Sequence, residues 1–199
     1  MASIWCALRT FDSHAKEMGS SRSPTPHFFL KPWAALNKPV LSGELKIPSH
    51  LEEIHHEVEL VLKLSAEMEV SQISIGLDLT DRKTQSLAKA DGMPWTQSKG
   101  FVNSAVVGTF SDPPISLTEL SLKLIINDKT RQDASIAEMR FTPAELISEL
   151  SKWAPLESGD LLFCGTPSGV GPMIRGDHVQ ARLLDKNRKS IAELDFILV

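Results

Sequence analysis

The sequence predicts a single α+β domain in which strands dominate and helices are few. The chain has 199 residues, a length that suits one domain with a sizeable core. Short apolar or alternating stretches of strand length recur along the chain, whereas helix-forming patterns are rare. No repeat, low-complexity tract or obvious linker divides the sequence, so we expect one domain over residues 1–199.

Four strand patterns occupy the first half of the chain. They cover residues 4–8, 28–30, 57–64 and 73–79. The stretch 57–64 alternates charged and apolar residues, which indicates a half-buried strand. Between the first two strands, Asp12 or Ser13 could cap a short helix that ends near Met18, and a loose Gly/Ser/Pro-rich stretch follows.

Two helices and four further strands are predicted in the rest of the chain. Residues 81–90 are polar and helix-friendly. Residues 143–153 have amphipathic spacing behind a Thr142 cap. The strand patterns cover residues 120–126, 161–164, 178–184 and 191–198. The first of them runs into Asn127-Asp128, which is a hairpin turn signal.

Composition excludes several classes of function. The net charge is −4 and no long basic run occurs, so we expect no nucleic-acid partner. Hydrophobic residues make up 42% and charged residues 23%, a balance typical of globular proteins. No basic-then-apolar leader and no apolar stretch near the roughly 18 residues that span a bilayer are present, which predicts a cytoplasmic protein without membrane contact. Cys6 and Cys164 lie in apolar strand patterns and are expected to be buried thiols.

Three acidic residues stand out by their positions. Glu57 and Glu59 are two apart on one predicted strand, so their side chains project from the same face, and Asp78 lies in an otherwise apolar strand. A divalent cation would relieve the repulsion between such carboxylates, and oxygen ligands favour a hard ion such as Mg²⁺ or Mn²⁺. In the alternative interpretation, Glu57 and Glu59 form the solvated face of an amphipathic strand. One of His55 and His56 could also be a ligand, although imidazole suits a softer metal.

Several motifs occur in an order similar to that of the fumarylacetoacetate hydrolase family. They are IHHEVEL at 54–60, LDLTDR at 77–82, PW at 94–95 leading to SKGF at 98–101, and GDLLFCGTPSGVGP at 159–172. The last stretch resembles the family's GTPxGVG signature, and FFLKP at 28–32 and Arg131-Gln132 also fit. The match covers nearly the whole chain. Within the family, the sequence most resembles the small single-domain members that act on acylpyruvates and oxaloacetate.

The resemblance implies both a fold and a metal. The expected fold is the strand-rich, mixed β-sandwich or roll of the family's C-terminal domain, with few helices. The expected ligands of Mg²⁺ or Mn²⁺ are Glu57, Glu59 and Asp78, with Ca²⁺ as a substitute in crystals. A homodimer is also implied, although no feature of the sequence itself shows one.

Three catalytic residues are implied as well. His14 and Glu17 are three apart and share a helix face, so Glu17 could hold His14 in the tautomer that takes a proton from water. Their segment, residues 11–26, resembles a lid that orders over bound substrate. Lys99 would stabilise the enolate or carbanion that forms as the bond breaks. Without the resemblance, His14 and Glu17 would form an exposed helix contact and Lys99 would snorkel from an apolar patch.

Further residues match family positions near the substrate. They are Arg9, Lys31, Arg82, Gln85 and Thr166. Thr166 lies in a Gly-rich turn, whose glycines let the backbone approach a ligand closely. The chain departs from the family pattern at residues 8–11, where LRTF replaces Gly-Arg-Asn-Tyr and only the arginine is retained.

The resemblance therefore implies a metal-dependent enzyme that cleaves a carbon–carbon bond in a small α-keto acid or α-keto dicarboxylic acid. Hydrolysis of an acylpyruvate and decarboxylation of oxaloacetate both fit, because both release an enolate that one site can stabilise. A tautomerase or isomerase of a related keto-enol acid needs only the enolate half of this chemistry. A non-catalytic keto-acid-binding protein is favoured by the altered residues 8–11, whereas the retained His14, Glu17 and Lys99 argue against it.

Overall fold

The computed structural model describes residues 2–12, 24–37, 43–51 and 53–199. Within these residues lie fifteen β-strands, three α-helices and three short 3₁₀ turns. The strands are β1 Ile4–Leu8, β2 His27–Lys31, β3 Leu36–Asn37, β4 Gly43–Leu45, β5 Ile54–His56, β6 Val58–Leu64, β7 Val70–Asp78, β8 Thr80–Asp81, β9 Ala105–Val107, β10 Ser121–Ile126, β11 Lys129–Ser135, β12 Leu161–Phe163, β13 Gly171–Met173, β14 His178–Leu184 and β15 Ser190–Leu198. The helices are α1 Arg82–Ala90, α2 Thr96–Lys99 and α3 Pro143–Leu150, and the 3₁₀ turns are Trp33–Ala35, Leu117–Glu119 and Ile136–Glu138.

The strands form three sheets, and this arrangement confirms the predicted strand-rich α+β fold. The largest sheet has seven strands in the order β2-β1-β12-β6-β7-β9-β3, and a second has five in the order β11-β10-β14-β15-β4. A small third sheet, β13-β5-β8, lies beside them. The two larger sheets are mixed, because the β1–β12, β3–β9 and β15–β4 pairs are parallel, whereas the third sheet is antiparallel throughout.

The main core lies between the two larger sheets. Leu60 and Leu62 of β6 belong to the same buried cluster as Leu124 of β10 and Phe196 of β15. The opposite face of the seven-stranded sheet carries a second apolar cluster that includes Cys6. Cys6 and Cys164 are buried free thiols, as predicted, and burial raises the pKa of both. In the described part of the chain, no helix has the length and apolar character needed to cross a membrane.

The helix starts agree with their capping residues. Asp81 accepts a hydrogen bond from the Thr84 N–H at 3.1 Å at the start of α1. Thr142 forms a capping box with Glu145 at the start of α3, which ends at Leu150 instead of residue 153. The sequence patterns do not predict α2, because a single helical turn is too short to show periodicity.

The prediction that residues 57–64 form a half-buried strand is wrong. β6 lies in the middle of the seven-stranded sheet, between β12 and β7, and both of its faces are covered. Leu60 and Leu62 face the main core, whereas Val61 faces the second cluster. Period-two alternation alone does not show whether the charged positions face solvent or a buried site.

Gly76 lies in β7 at a point where the second cluster packs tightly. A Cβ there would lie 2.6 Å from Val61 Cγ2 and 2.9 Å from the Val106 carbonyl oxygen. We predict that Gly76→Ala lowers the free energy of unfolding by about 1–3 kcal/mol, because the backbone oxygen has little room to move. Chemical denaturation measures this change. Ser71→Ala, at an exposed position of β7, is the control and should change it by about 0.5 kcal/mol or less. Equal effects of the two variants would contradict the packing argument.

Candidate functional site

Three carboxylates meet at one end of the β6–β7 pair. Val58 pairs with Leu77, so Glu57 lies opposite Asp78, and the Asp78 N–H donates to the Glu57 carbonyl at 2.9 Å. Glu59, two residues further on, projects to the same group. One oxygen from each of Glu57, Glu59 and Asp78 lies within 4.8 Å of the others. Their exposed fractions are 7%, 2% and 1%, which contradicts the interpretation as a solvated strand face.

Lys99 inserts its ammonium group between two of these acids. Its Nζ lies 2.8 Å from Glu57 Oε2 and 2.6 Å from Asp78 Oδ2, and it also donates to Thr80 Oγ1 at 2.6 Å. Burial by itself would lower the pKa of Lys99, but the charges of Asp78 and Glu57 outweigh burial and raise it above the ordinary range. Because the residue is 2% exposed and its charge points inward, the snorkelling interpretation is wrong.

Lys31 supports the same group from behind. Its Nζ donates to the carbonyl oxygens of Leu79, Lys99 and Ser104 at 3.0, 2.5 and 2.9 Å, which uses all three ammonium protons. The Nζ also lies 2.7 Å from Asp78 Oδ1. Burial lowers the pKa of Lys31, and the Asp78 charge opposes that shift. Lys31 is 1% exposed and does not line the cavity, so its position differs from the substrate contact that the resemblance implies.

The acidic group has the properties of a site for a hard divalent cation. Asp78 Oδ1 is fully buried, and its contact with the Lys31 ammonium at 2.7 Å is an ion pair that lacks good hydrogen-bond geometry. Three buried carboxylates this close together repel one another, and such a group is costly unless cations satisfy it. Burial, followed by the charges of Asp78 and Glu57, raises the pKa of Glu59 well above its ordinary value. A cation bound by these oxygens would offset each of these costs.

A cavity opens onto the acids and collects most of the predicted substrate residues. Arg9, Arg82, Gln85 and Thr166 line it together with the three acids and Lys99. The guanidinium of Arg82 donates to Glu57 Oε1 at 2.8 Å and to Gln85 Oε1 at 2.7 Å, so α1 presents both residues to the cavity. The remaining lining residues are Ala7, Leu8, Phe29, Lys89 and Trp95.

Residues 9–11, which follow β1 and include two of the departures from the family pattern, make specific contacts with the rest of the fold. Arg9 has a φ of 56°, a left-handed conformation that turns the chain at the cavity wall. Thr10 is buried and donates to the Cys164 carbonyl at 2.7 Å, and Phe11 is buried and forms a β-bridge with Met139. Of the departures from the family pattern, Thr10 and Phe11 are therefore buried, whereas Leu8 lines the cavity together with Arg9.

Neither neighbouring histidine joins the acidic group. His55 Nε2 lies 2.8 Å from Glu53 Oε1, and His56 Nδ1 lies 3.1 Å from Gln132 Oε1. Gln132 also donates to Thr166 Oγ1 at 2.8 Å. The sequence interpretation did not assign Gln132 to the site. Gln132 belongs to the Arg131-Gln132 pair of the family resemblance, but the burial of its amide is visible only in the structure.

His14 and Glu17 lie outside the described residues, as does most of the candidate lid at 11–26. Their roles as proton-transfer residue and orienting residue stay predictions. The predicted homodimer and cytoplasmic location stay predictions as well.

The fold and the buried oxygen ligands together define a β-rich protein with a candidate carboxylate metal centre. The family model described as fumarylacetoacetate hydrolase, C-terminal, matches residues 3–195. The chain belongs to this family.

Relatives and solved structures agree with this assignment. The chain is 36% identical to the mitochondrial oxaloacetate decarboxylase of Dictyostelium discoideum over 184 residues, which cover 86% of this chain and 84% of the relative. It is 34% identical to the oxaloacetate tautomerase YcgM of Escherichia coli over 193 residues, with 90% and 87% covered. The crystal structure of fumarylpyruvate hydrolase from Pseudomonas aeruginosa in complex with Mn²⁺ and pyruvate superposes with a TM-score of 0.89 at 31% identity, covering 100% of this chain and 90% of that one.

The ligand assignment predicts the metal affinity of one variant. Glu59→Gln keeps an oxygen for the Gly165 N–H, which donates to Glu59 Oε2 at 2.6 Å, but removes the negative charge. We expect the Mn²⁺ affinity, measured by isothermal titration calorimetry, to fall at least about 100-fold, because even groups that only orient ligands are worth 10–100-fold. Glu69→Gln, at an exposed position between β6 and β7, is the matched control. Unchanged affinity in Glu59→Gln would remove Glu59 from the ligand set.

The raised pKa of Glu59 also predicts a pH dependence. A carboxyl whose pKa in the folded protein is raised binds a proton more tightly there than in the unfolded chain. The metal-free protein should therefore lose stability as pH rises from the ordinary glutamate range through the raised pKa. Mn²⁺ should cancel that loss, and Glu59→Gln should remove it. Thermal unfolding of the unmodified protein and of Glu59→Gln, each without metal, measures this loss between about pH 4.5 and about pH 8. A difference in stability between these two proteins that does not change with pH would contradict the raised pKa of Glu59.

Proposed function

We propose that this protein is a divalent-metal-dependent enzyme that forms the enolate of a small α-keto dicarboxylic acid, with oxaloacetate as the substrate to test first. The observation that carries the proposal is the buried group of Glu57, Glu59 and Asp78 with the Lys99 ammonium between them. The oxaloacetate decarboxylase and tautomerase among the relatives support the same chemistry.

The acids would hold Mg²⁺ or Mn²⁺, and Lys99 would act beside it. When bound, the cation supplies a Lewis acid that withdraws electrons from the keto acid. The Lys99 ammonium contacts Glu57 and Asp78, so it would bring positive charge to the place where enolate charge develops. Lys31 holds Asp78 and the Lys99 carbonyl in place. Arg82, paired with Glu57, positions Gln85 at the cavity.

Formal charges support an anionic substrate. The three acids are balanced by Lys31, Lys99 and Arg82, each of which contacts at least one of them. A divalent cation would therefore leave a net positive site, which favours an anion. Because the three acids offset the charges of Lys31, Lys99 and Arg82, these three side chains do not prevent a cation from binding.

Two further cations face the cavity. The side chains of Arg9 and Lys89 line it, and neither makes a hydrogen bond or ion pair within the described part of the chain. Lys89 Nζ lies 5.1 Å from the centre of the Trp95 ring. Burial, followed by the charge of Arg82, lowers the pKa of Lys89. A second substrate carboxylate would offset both effects, which supports a dicarboxylic acid over a monocarboxylic one.

We predict that Lys89→Met impairs dicarboxylic substrates selectively. The KM for oxaloacetate should rise roughly fivefold, as expected for a partly exposed charge contact, whereas the KM for an acylpyruvate without a second carboxylate should not change. Steady-state kinetics of the Mn²⁺-loaded enzyme measures both values. Lys83→Met lies on the same helix away from the cavity and is the control. Equal effects on the two substrates would show that Lys89 does not read the second carboxylate.

Hydrolysis of an acylpyruvate is the second candidate function. The spacing of His14 and Glu17 favours it, as does the structural similarity to a fumarylpyruvate hydrolase. In that reaction, His14 would take a proton from water as the water oxygen attacks the distal carbonyl carbon. The carbon–carbon bond then breaks to give a carboxylic acid and the pyruvate enolate, which takes up a proton. Tautomerisation and decarboxylation of oxaloacetate use no such water.

His14→Ala separates these reactions. We expect acylpyruvate hydrolysis to fall about 100- to 10,000-fold, the usual contribution of a proton-transfer group, while oxaloacetate tautomerisation and the Mn²⁺ dissociation constant change little. Absorbance assays on oxaloacetate and an acylpyruvate, followed with metal-loaded protein, measure this. His50→Ala, at an exposed position, is the control. Loss of metal binding in His14→Ala would make His14 a ligand or a structural residue, and absence of any turnover by the unmodified protein would favour a binding protein.

A further inference from the structure

We propose that Gln132 is a positioning residue that fixes the Thr166 hydroxyl as a hydrogen-bond donor to the substrate carboxylate. The proposal rests on the proposed function, because it assumes that a keto acid occupies the cavity that Thr166 lines. It gives a role at the site to Gln132, which the sequence motifs include only as part of the Arg131-Gln132 pair and which does not belong to the acidic group.

The amide of Gln132 has one allowed orientation. Its Oε1 accepts from the Val58 N–H at 3.1 Å, and its Nε2 donates to the Pro167 carbonyl at 2.9 Å. A backbone N–H can only donate and a carbonyl can only accept, so reversing the amide would break both bonds. The second Nε2 proton reaches Thr166 Oγ1 at 2.8 Å. Because Gln132 is 2% exposed, water does not compete freely for these bonds.

His56 closes the network on the other side. Its Nδ1 lies 3.1 Å from Gln132 Oε1, which can only accept, so the imidazole proton is on Nδ1. The acceptor oxygen of Gln132 is thus occupied by two donors, which leaves its amide nitrogen directed at Thr166.

The consequence for Thr166 is a defined polarity. A hydroxyl group has one proton and can rotate to donate or accept. Since Thr166 Oγ1 already accepts the Gln132 proton, its own proton must point elsewhere, and the cavity lies on its open side. The Thr166 hydroxyl is therefore a hydrogen-bond donor in the cavity wall. A donor at this position suits a carboxylate, which accepts hydrogen bonds, and does not suit an ammonium group, which can only donate them.

The backbone has two features that allow this contact. The β10–β11 register shifts between Leu124 and Ile125, so Arg131 is the extra residue of a bulge and Gln132 turns inward. Gly169 has a φ of +93°, and a Cβ there would lie 2.4 Å from the Arg131 carbonyl oxygen. The Gly-rich turn that carries Thr166 can therefore approach β11 closely only with glycine at this position.

Variants of Gln132 and Thr166 test the proposal through the binding of pyruvate to the Mn²⁺-loaded protein, measured by calorimetry. Gln132→Glu keeps the shape but removes both amide protons, so the Thr166 hydroxyl should donate to Glu and turn its lone pairs to the ligand. The pyruvate dissociation constant should rise roughly 10- to 100-fold, as for a lost hydrogen bond to a charged group. Gln132→Met frees the hydroxyl to rotate and should cost less. The Mn²⁺ affinity should stay within about threefold, and Thr130→Val, exposed on the same strand, should bind pyruvate normally.

The double variants distinguish positioning from a structural role. In a Thr166→Val background, either change at Gln132 should add little to the loss caused by Thr166→Val alone, because the residue acts through the hydroxyl. Additive losses, or an equal cost for Gln132→Met and Gln132→Glu, would overturn the proposal. If Gln132→Glu does not fold, the Gln132→Met cycle gives the same answer. Failure of the unmodified Mn²⁺-loaded protein to bind pyruvate would refute the proposed function itself, an outcome distinct from additive losses in a protein that binds.

Discussion

The site depends on three carboxylates that the chain buries against one another at the end of a central strand pair. Such a group is costly in a protein interior, because each charge loses water and repels its neighbours. Glu57, Glu59 and Asp78 are held together by the β6–β7 register and by the ammonium groups of Lys31 and Lys99. These contacts offset part of the repulsion among the carboxylates, and Asp78 Oδ1 has an ion pair with Lys31 but no well-aligned hydrogen bond among the described residues. A divalent cation bound by the same oxygens would offset the rest.

Different elements of the fold contribute different residues to the site. The seven-stranded sheet carries the acids and Lys31, whereas α1 supplies Arg82 and α2 ends at Lys99. The Gly-rich turn after β12 brings Thr166 to the opposite wall, where β11 supports it through Gln132. The acids and the cations that contact them therefore lie on or beside regular elements, which hold side chains in precise positions. Activation of water, if the enzyme hydrolyses acylpyruvates, would come from a different part of the chain.

Much of this arrangement can be predicted from the sequence, and the errors have physical causes. The two-residue spacing of Glu57 and Glu59 agrees with their position in one buried group, and Asp78, the lone acid in an apolar strand, lies in the same group. The same alternation wrongly suggests a half-buried strand, because periodicity does not report what covers the polar face. Lys31 belongs to a family motif, so its presence near the site is predictable. Its buried position beside Asp78 is not, because it depends on hydrogen bonds to three carbonyls that are distant in the sequence. Gln132 needs a β-bulge to turn inward, and one sequence gives no sign of that bulge.

The most direct test of the account is a crystal structure of the protein grown with Mn²⁺ and pyruvate, with anomalous scattering recorded to locate the metal. We expect one strong anomalous peak from a metal ion that is bound by Glu57, Glu59 and Asp78, with pyruvate beside it and the Lys99 ammonium still in contact with Asp78. Three carboxylates that point apart around an empty centre, or a peak at another position, would contradict it.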